Sequence, residues 1–283
     1  MQNNLTNLTT LQAERPKFQF HPFHMVTPSP WPLFVSFSLL ILTSGSVLYF
    51  NGYASPFGDS GLSLVLIGLI TTVLSMSLWF RDVVTEGTFL GDHTIPVQKG
   101  LTMGMALFIT SEVMFFFSIF WALFHASLSP AIELGGQWPP MGIESINPFE
   151  LPLLNTVLLL TSGATVTYSH HAVINKNRAG AISGLILTIL LATVFTVCQG
   201  IEYSNAPFTI ADGVYGSTFY MSTGFHGIHV IVGTIMLAVS LGRLVQYHFT
   251  STHHIGYESA ILYWHFVDVV WLFLFVSVYW YGG

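Results

Sequence analysis

The stretch Gly104-Met-Ala-Leu-Phe-Ile-Thr-Ser-Glu112-Val-Met-Phe-Phe-Phe-Ser-Ile-Phe-Trp121 contains one charged residue in an otherwise uncharged, mostly apolar run. As an α-helix, such a run is long enough to cross the hydrocarbon core of a membrane. An ionisable side chain at that depth is costly, and by default it indicates a functional site. The stretch therefore predicts a transmembrane helix and marks Glu112 as a candidate functional residue.

The composition of the whole chain extends this prediction beyond one helix. Of the 283 residues, 7% are charged and 52% are hydrophobic, and the mean hydropathy is +0.65. A soluble domain typically has about 25% charged residues, so the chain is predicted to be an integral membrane protein. The single cysteine, Cys198, excludes a disulfide framework and a cysteine-rich metal site. The polar N-terminus lacks the order of a secretory signal.

Seven apolar segments have the length of a membrane-spanning helix. They lie at about 33–50, 62–80, 101–124, 152–172, 181–203, 217–241 and 260–281. Threonine and serine residues dilute the fourth segment, and prolines interrupt the chain before the first segment and between the third and fourth. The predicted fold is all-α, with seven transmembrane helices.

The basic residues test this topology independently. With seven spans, all seven basic residues fall on the N-terminal side of the membrane: Arg15, Lys17, Arg81, Lys99, Lys176, Arg178 and Arg243. The charged residues of the opposite loops are all acidic: Asp59, Glu133, Glu144, Glu150 and Asp212. The positive-inside rule then places the N-terminus in the cytoplasm or matrix and the C-terminus on the outer side.

Two interpretations of Glu112 remain open. It is either a proton-relay or proton-storage group, because an apolar site disfavours the charged carboxylate, or a protonated acid that hydrogen-bonds a neighbouring helix and stabilises packing. The spans contain no lysine or arginine that could pair with it. One carboxyl group alone does not make a proton pathway.

Two pairs of polar residues lie within the sixth and seventh spans. His226 and His229 are three residues apart and share a helix face, which could bind a metal if another helix supplied a third ligand. The chain lacks the further intramembrane histidines that haem or copper would need. His265 and Asp268 have the same spacing, which is typical of a structural hydrogen bond. Interhelical hydrogen bonding is the favoured interpretation of all four, and no metal site is predicted.

Other polar residues are expected near the membrane surfaces. Glu202, at the outer end of the fifth span, is expected to reach the interface and remain hydrated, in a structural role. On the basic side, His93, Arg243 and His248 belong to a larger set of basic and histidine residues that could contact anionic lipid head groups. Simple interfacial anchoring is the alternative for each of these residues.

Several catalytic motifs are absent from the sequence. It has no glycine-rich phosphate loop, no His-Glu-x-x-His and no Gly-x-Ser-x-Gly, which argues against nucleotide chemistry and hydrolysis. Two classes of protein remain from composition and topology. One is a channel or self-sufficient proton-conducting protein, and the other is an accessory subunit of a larger membrane assembly.

Longer strings resemble cytochrome c oxidase subunit III, in the order found in that family. The resemblance runs from about residue 22 to the C-terminus. The strings are His24-Met-Val-Thr-Pro-Ser-Pro-Trp-Pro32, Trp79-Phe-Arg-Asp-Val83, Val97-Gln-Lys-Gly100, Ser111-Glu-Val-Met-Phe-Phe116, Glu133-Leu-Gly-Gly-Gln-Trp-Pro-Pro140, Ala206-Pro-Phe-Thr-Ile-Ala-Asp-Gly-Val-Tyr-Gly-Ser-Thr-Phe219, Gly224-Phe-His-Gly-Ile-His229, His248-Phe-Thr-Ser251 and Tyr263-Trp-His-Phe-Val-Asp-Val-Val-Trp-Leu-Phe273.

The resemblance implies a two-helix bundle and a five-helix bundle that form a V-shaped, lipid-filled cleft. It implies a non-catalytic subunit without haem or copper, since subunits I and II hold those centres in this family. The complex passes electrons from cytochrome c to oxygen and pumps protons. The third subunit supports proton uptake by subunit I and protects it during turnover.

The resemblance also implies particular residues and partners. Lipid contacts carry over onto His93, Arg243 and His248, and the family's intramembrane glutamate onto Glu112. Thr85 stands where the family often has an arginine. The expected partners are subunits I and II, smaller accessory subunits, possible supercomplex neighbours and phospholipids, with no nucleic acid.

The expected location is the mitochondrial inner membrane, with the N-terminus in the matrix and the C-terminus in the intermembrane space. Residues 1–21 resemble a lineage-specific extension, and residues 22–283 form the seven-helix domain.

Overall fold

The computed structural model describes residues 22–53, 56, 58 and 61–283. The predicted extension, residues 1–21, lies outside the described residues, as does Asp59 of the acidic loops. The described residues form helices, turns and loops, and none of them lies in a β-strand.

Seven helices are long and apolar enough to cross a membrane, which confirms the predicted all-α fold with seven spans. They are α1 (Trp31–Asn51), α2 (Leu62–Thr85), α3 (Ile95–Leu128), α4 (Leu151–Ile174), α5 (Arg178–Asn205), α6 (Gly213–Val245) and α7 (Ile255–Leu274). π-Helical turns continue α2 through Glu86–Leu90 and α7 through Phe275–Trp280. A short 3₁₀ helix, Ile132–Leu134, follows α3.

Most of the helices extend beyond the apolar segments read from the sequence. The α2 helix continues through Arg81 and Asp82, whose side chains pair with each other at 2.8 Å. The indole N–H of Trp31 also donates a hydrogen bond to the Asp82 carboxylate. At the start of α5, the Asn177 side chain accepts a hydrogen bond from the backbone N–H of Gly180, at 3.1 Å. Polar residues near the helix ends thus have hydrogen-bond partners, which allows the helices to continue beyond the apolar segments.

The chain divides into two compact units, one up to Leu101 and the other from Thr102 to Gly283. In the first unit, α1 and α2 pack against each other. Two glycines permit this close crossing. A Cβ added at Gly68 would lie 2.5 Å from the backbone nitrogen of Leu42, and one at Gly45 would lie 2.8 Å from the Leu64 Cβ. Small residues at such crossings let helix backbones approach closely.

In the second unit, α4 packs against α5 and α7, and α6 packs against α5 and α7. The fully buried indoles of α7 use the hydroxyl groups of α4. Trp264 donates to the Ser162 hydroxyl oxygen at 3.0 Å, and Trp271 donates to that of Thr156 at 2.9 Å. Serine and threonine residues of the fourth span thus provide hydrogen-bond acceptors in a buried helix interface.

The basic loops of the second unit meet at one end of its helices. The Arg178 guanidinium donates to the Val245 carbonyl oxygen at 2.9 Å and lies 3.8 Å from the centre of the Tyr247 ring. The loop before α5 and the loop after α6 therefore share one end, as the predicted topology requires.

Candidate proton-handling and lipid-binding sites

Glu112 of α3 pairs with His229 of α6. The Glu112 Oε2 atom lies 2.9 Å from His229 Nε2. On the other side of the ring, Nδ1 donates to the Phe225 carbonyl oxygen one turn earlier, at 2.7 Å. This contact joins two helices at membrane depth and gives Glu112 a titratable partner.

The hydrogen bond to Phe225 determines where the proton of the pair resides. A carbonyl oxygen only accepts, so Nδ1 carries a hydrogen and Nε2 of a neutral ring has a lone pair. The contact with Glu112 then needs one proton, carried either by the carboxyl group or by Nε2. In both arrangements, the pair as a whole has no net charge, which lowers the cost of placing it in a membrane.

Aromatic rings enclose one side of this pair. The His229 ring lies 5.1 Å from the Phe116 ring in an edge arrangement and 6.1 Å from the Tyr263 ring in a stacked one. Enclosure is incomplete, because the Glu112 side chain retains 23% of its exposure and the His229 side chain retains 12%. The described residues therefore leave part of the pair accessible from outside the helix bundle.

His226 has a different environment from His229. Its ring is 1% exposed and lies 5.2 Å from the Trp271 ring and 5.9 Å from the Phe195 ring. Neither ring nitrogen has a hydrogen-bond partner among the described residues. The predicted interhelical hydrogen bond is thus found for His229 and not for His226. Both rings contact α7, and the other neighbouring helix is α5 for His226 and α3 for His229.

The expectation that Glu202 remains hydrated at the interface is wrong for the described chain. This residue is 3% exposed. Its Oε1 atom accepts hydrogen bonds from the Tyr279 hydroxyl at 2.5 Å and from the Gln199 amide at 3.2 Å. The C-terminal π-helical turn, which carries Tyr279, covers this end of α5 and removes Glu202 from the surface.

The contact between His265 and Asp268 includes a third residue from α4. The His265 Nδ1 atom lies 3.5 Å from Asp268 Oδ2, and Nε2 lies 3.2 Å from the Thr167 hydroxyl oxygen. Asp268 also approaches the backbone of α4, because a Cβ added at Gly163 would lie 2.5 Å from its Oδ2 atom. The glycine leaves room for the carboxylate between the two helices.

Arg243 and His248 form a cationic site at the end of α6. The His248 backbone N–H donates to the Arg243 carbonyl oxygen at 3.0 Å, which turns the chain back toward the helix. The guanidinium lies 4.4 Å from the centre of the Phe249 ring and beside Gly256. Burial and the adjacent positive charge of Arg243 lower the pKa of His248. Arg243 therefore supplies the permanent positive charge of the site.

His93 lies in the first unit, next to His24 and Glu86. The two imidazole rings meet edge to face, with centroids 6.1 Å apart. A Cβ added at Gly87 would lie 2.7 Å from His93 Nδ1, so the ring packs directly on the helix backbone. The predicted lipid contact of His93 is neither supported nor contradicted by this geometry and stays a prediction.

Two groups of side chains within the described residues have ligand atoms close enough to hold a metal ion. They are His24, Glu86 and His93, and His170, His254 and Glu258. In the second group, the Nε2 atoms of His170 and His254 lie 3.3 Å apart, and Glu258 Oε1 lies 3.2 Å from His254 Nε2. The sequence-based expectation of no metal site stays a prediction.

Several partners of the candidate residues were not identified from the sequence. They include His229 as the partner of Glu112, Tyr279 as the partner of Glu202 and Thr167 as the partner of His265. The spacing of four residues between His254 and Glu258 was a usable helical signal. The other contacts join residues 77 to 117 positions apart, and no local spacing indicates them.

Comparison with known proteins identifies relatives along nearly the whole chain. A family model described as cytochrome c oxidase subunit III matches residues 21–283. A protein named cytochrome c oxidase subunit 3 from Mycosarcoma maydis is 70% identical over 272 residues, covering 96% of this chain and 99% of the relative. Proteins with that name from Rhizopus stolonifer and Allomyces macrogynus are 63% and 60% identical, covering 99% and 94% of this chain and 98% and 95% of their own.

Proposed function

Because the chain belongs to the cytochrome c oxidase subunit III family, we propose that it supports proton uptake by subunit I of the oxidase and protects that subunit during turnover. As a family member, it is a subunit of an oxidoreductase complex and associates with other subunits of that complex. Its seven apolar helices make it a multi-pass membrane protein. The finer roles below are part of the proposal.

The pair formed by Glu112 and His229 is the observation that supports this role best. It holds one exchangeable proton, has no net charge and is partly accessible. Such a pair can take up and release a proton without leaving an uncompensated charge in the membrane. We assign it a supporting role in proton supply, since one pair alone does not connect the two membrane surfaces.

In this proposal, the chain itself does not transfer electrons. The haems and coppers belong to subunits I and II, as the family resemblance implies. The intramembrane histidines of this chain then have other tasks: His229 binds Glu112, His265 contacts Asp268, and His226 fills space between Phe195 and Trp271.

Phospholipid binding is the second part of the proposal. Arg243 and His248 would bind the phosphate of a lipid head group at the basic end of the second unit, where Arg243 supplies the charge. His93 would contribute a contact in the first unit. The lipids would belong to the mitochondrial inner membrane, with the N-terminus of the chain in the matrix.

Removal of this chain from the purified oxidase tests the proposed function. We expect unchanged haem spectra, slower proton uptake at high turnover, and activity that declines with the number of turnovers. Restoring the chain together with phospholipid should restore durability. Loss of the haem signals on removal would contradict a purely supporting role.

The alternative function is a self-sufficient proton-conducting protein. Reconstitution of the purified chain alone in vesicles, with a pH-sensitive dye inside, separates the two. We expect no proton flux above that of protein-free vesicles. Sustained flux that disappears in a Glu112→Gln variant would replace the supporting role with a conducting one.

A further inference from the structure

The outer face between α4 and α7 carries polar side chains deep within the membrane. We call Thr167, His265 and Asp268 the α4–α7 polar face. His265 lies ten residues after Ile255, the first residue of α7, which is about 15 Å along the helix axis. Since the hydrocarbon core is about 30 Å thick and the apolar segment begins at about residue 260, His265 lies inside the core and not at its surface.

The imidazole of His265 is directed away from the helix bundle. Its side chain is 42% exposed, and its neighbours Leu262 and Val269 on the same helix are 44% and 51% exposed. Asp268 is mostly buried behind it, at 9% side-chain exposure. Lipid acyl chains would therefore meet a polar ring if nothing else covered this surface.

The hydrogen bonds among Thr167, His265 and Asp268 determine where the protons of the α4–α7 polar face reside. The Thr167 hydroxyl donates to the Gly163 carbonyl oxygen at 2.8 Å, so its oxygen is left to accept from His265 Nε2. With Nε2 protonated, His265 Nδ1 faces Asp268 Oδ2 at 3.5 Å, and that contact needs one further proton. The result is either an ion pair or a pair of neutral, polar groups. Both are costly in contact with hydrocarbon.

At its basic end, α7 carries an exposed negative charge that a basic residue of a partner could match. In the second unit, Glu258 is an acidic residue at the end where the other charged residues, Lys176, Arg178 and Arg243, are basic, and its side chain is 46% exposed. It contacts His254, which in turn lies beside His170. A membrane helix that carries lysine or arginine at its cytoplasmic or matrix end would match Glu258, as the positive-inside rule favours.

We propose that the α4–α7 polar face is the docking surface for one transmembrane helix of a partner subunit of the oxidase. A helix is the fitting occupant because its backbone needs no external hydrogen bonds at membrane depth. It would place a small or hydroxyl side chain against His265 and a basic residue near Glu258. The inference rests on the proposed function as a supporting subunit of the oxidase and adds a specific contact surface to it.

Photolabelling of the unmodified complex tests this proposal. The purified oxidase is placed in vesicles of phosphatidylcholine that carries a photoactivatable group in its acyl chain, and labelled peptides are identified by mass spectrometry. We expect strong labelling of α5 around Ile186, which is 42% exposed, and about tenfold weaker labelling around His265. Equal labelling of both segments within an intact complex would overturn the docking surface.

Substitutions provide a second readout. His265→Leu keeps the side-chain volume and removes the polar group, and Ile186→Ala is the control on a comparably exposed position. We expect His265→Leu to increase detergent-induced loss of one partner subunit about tenfold, with unchanged haem spectra. Retention of every subunit at the control level would overturn the proposal. If the unmodified chain is absent from the haem-bearing complex, the proposed function fails instead.

Discussion

Glu112 and Glu202 both lie within membrane-spanning helices, but they differ in exposure and in hydrogen bonding. Glu202 is 3% exposed and accepts two hydrogen bonds, from Tyr279 and Gln199. Among the described residues, Glu112 pairs with His229, and its side chain retains 23% exposure. The proposed proton exchange requires a carboxyl group that is accessible from outside the helix bundle, and of these two residues only Glu112 is partly exposed. Glu202 has the environment of a structural group.

Replacement of Glu112 by glutamine separates proton exchange from packing. The amide can still donate to the lone pair of His229 Nε2, so we expect normal assembly, with a stability change of about 1 kcal/mol or less. Proton uptake should slow and inactivation during turnover should accelerate. The loss should be well below the roughly 10²-fold expected for an essential proton-transfer group. Flow-flash kinetics with a pH indicator measure the first effect.

Glu202→Gln is the matched control for this experiment. Because Glu202 is enclosed, its replacement should change thermal stability of the complex without changing proton uptake. Equal proton-uptake kinetics in the Glu112→Gln variant and the parent oxidase would exclude a role for Glu112 in proton supply. Slower uptake in both variants would indicate a general packing defect.

His248 should make lipid binding depend on pH. Burial and the adjacent Arg243 charge lower the pKa of His248, so the ring gains its proton at a lower pH than an ordinary histidine, whose pKa is about 6.5. An anionic phosphate favours the protonated ring. Occupancy by anionic lipid should therefore rise as pH falls from about 7.5 to 5.5. Native mass spectrometry of the complex in phosphatidylglycerol measures this occupancy.

Two variants test whether His248 causes the pH dependence of lipid binding. His248→Gln should remove the rise at low pH and leave the binding at pH 7.5 nearly unchanged. Arg243→Gln should reduce binding at every pH, since it removes the permanent charge. A rise at low pH that persists in His248→Gln would show that another group is responsible.

At the scale of helices, number and type were predictable from the sequence, and helix ends and rotations were not. Seven apolar segments of sufficient length predicted seven helices, since only helices and closed barrels satisfy backbone groups in lipid. The α3 helix has 34 residues, about 50 Å, and so extends well beyond the roughly 30 Å of the hydrocarbon core. Rotation about each axis depends on packing between distant segments. The contact between Glu112 and His229 was therefore not predictable from local spacing.

The crossing of α1 and α2 should be sensitive to a single methyl group. A Cβ at Gly68 would lie 2.5 Å from the Leu42 backbone nitrogen, and the α1 backbone cannot move without separating the helices. We expect Gly68→Ala to destabilise the first unit by about 1–3 kcal/mol, the usual cost of overpacking. Limited proteolysis of the complex and its thermal inactivation measure this loss.

Gly100→Ala is the control for Gly68→Ala. A Cβ at Gly100 has no neighbouring atom within 4 Å, and alanine is the better helix former. The control should be neutral or slightly stabilising. Equal destabilisation by both substitutions would contradict the assignment of Gly68 to a tight helix crossing.

For the whole molecule, the distribution of charge determines the expected orientation. In the second unit, Lys176, Arg178 and Arg243 are at or near the end where Arg178 meets Val245. The loops at the other ends of these helices carry Glu133, Glu144, Glu150 and Asp212. Since positive loops remain on the side of synthesis, the basic end should face the matrix.

Cysteine labelling tests this orientation directly. Ile132→Cys places a thiol at a position that is 91% exposed on the acidic side, and Thr252→Cys places one in the exposed loop on the basic side. In mitoplasts, which lack the outer membrane, an impermeant maleimide should label the Ile132→Cys variant and spare the Thr252→Cys variant. Both should react after the membrane is opened, and the parent chain with Cys198 alone gives the background. The opposite pattern would place the N-terminus outside the matrix, and the positive charges of this chain would then not determine its insertion.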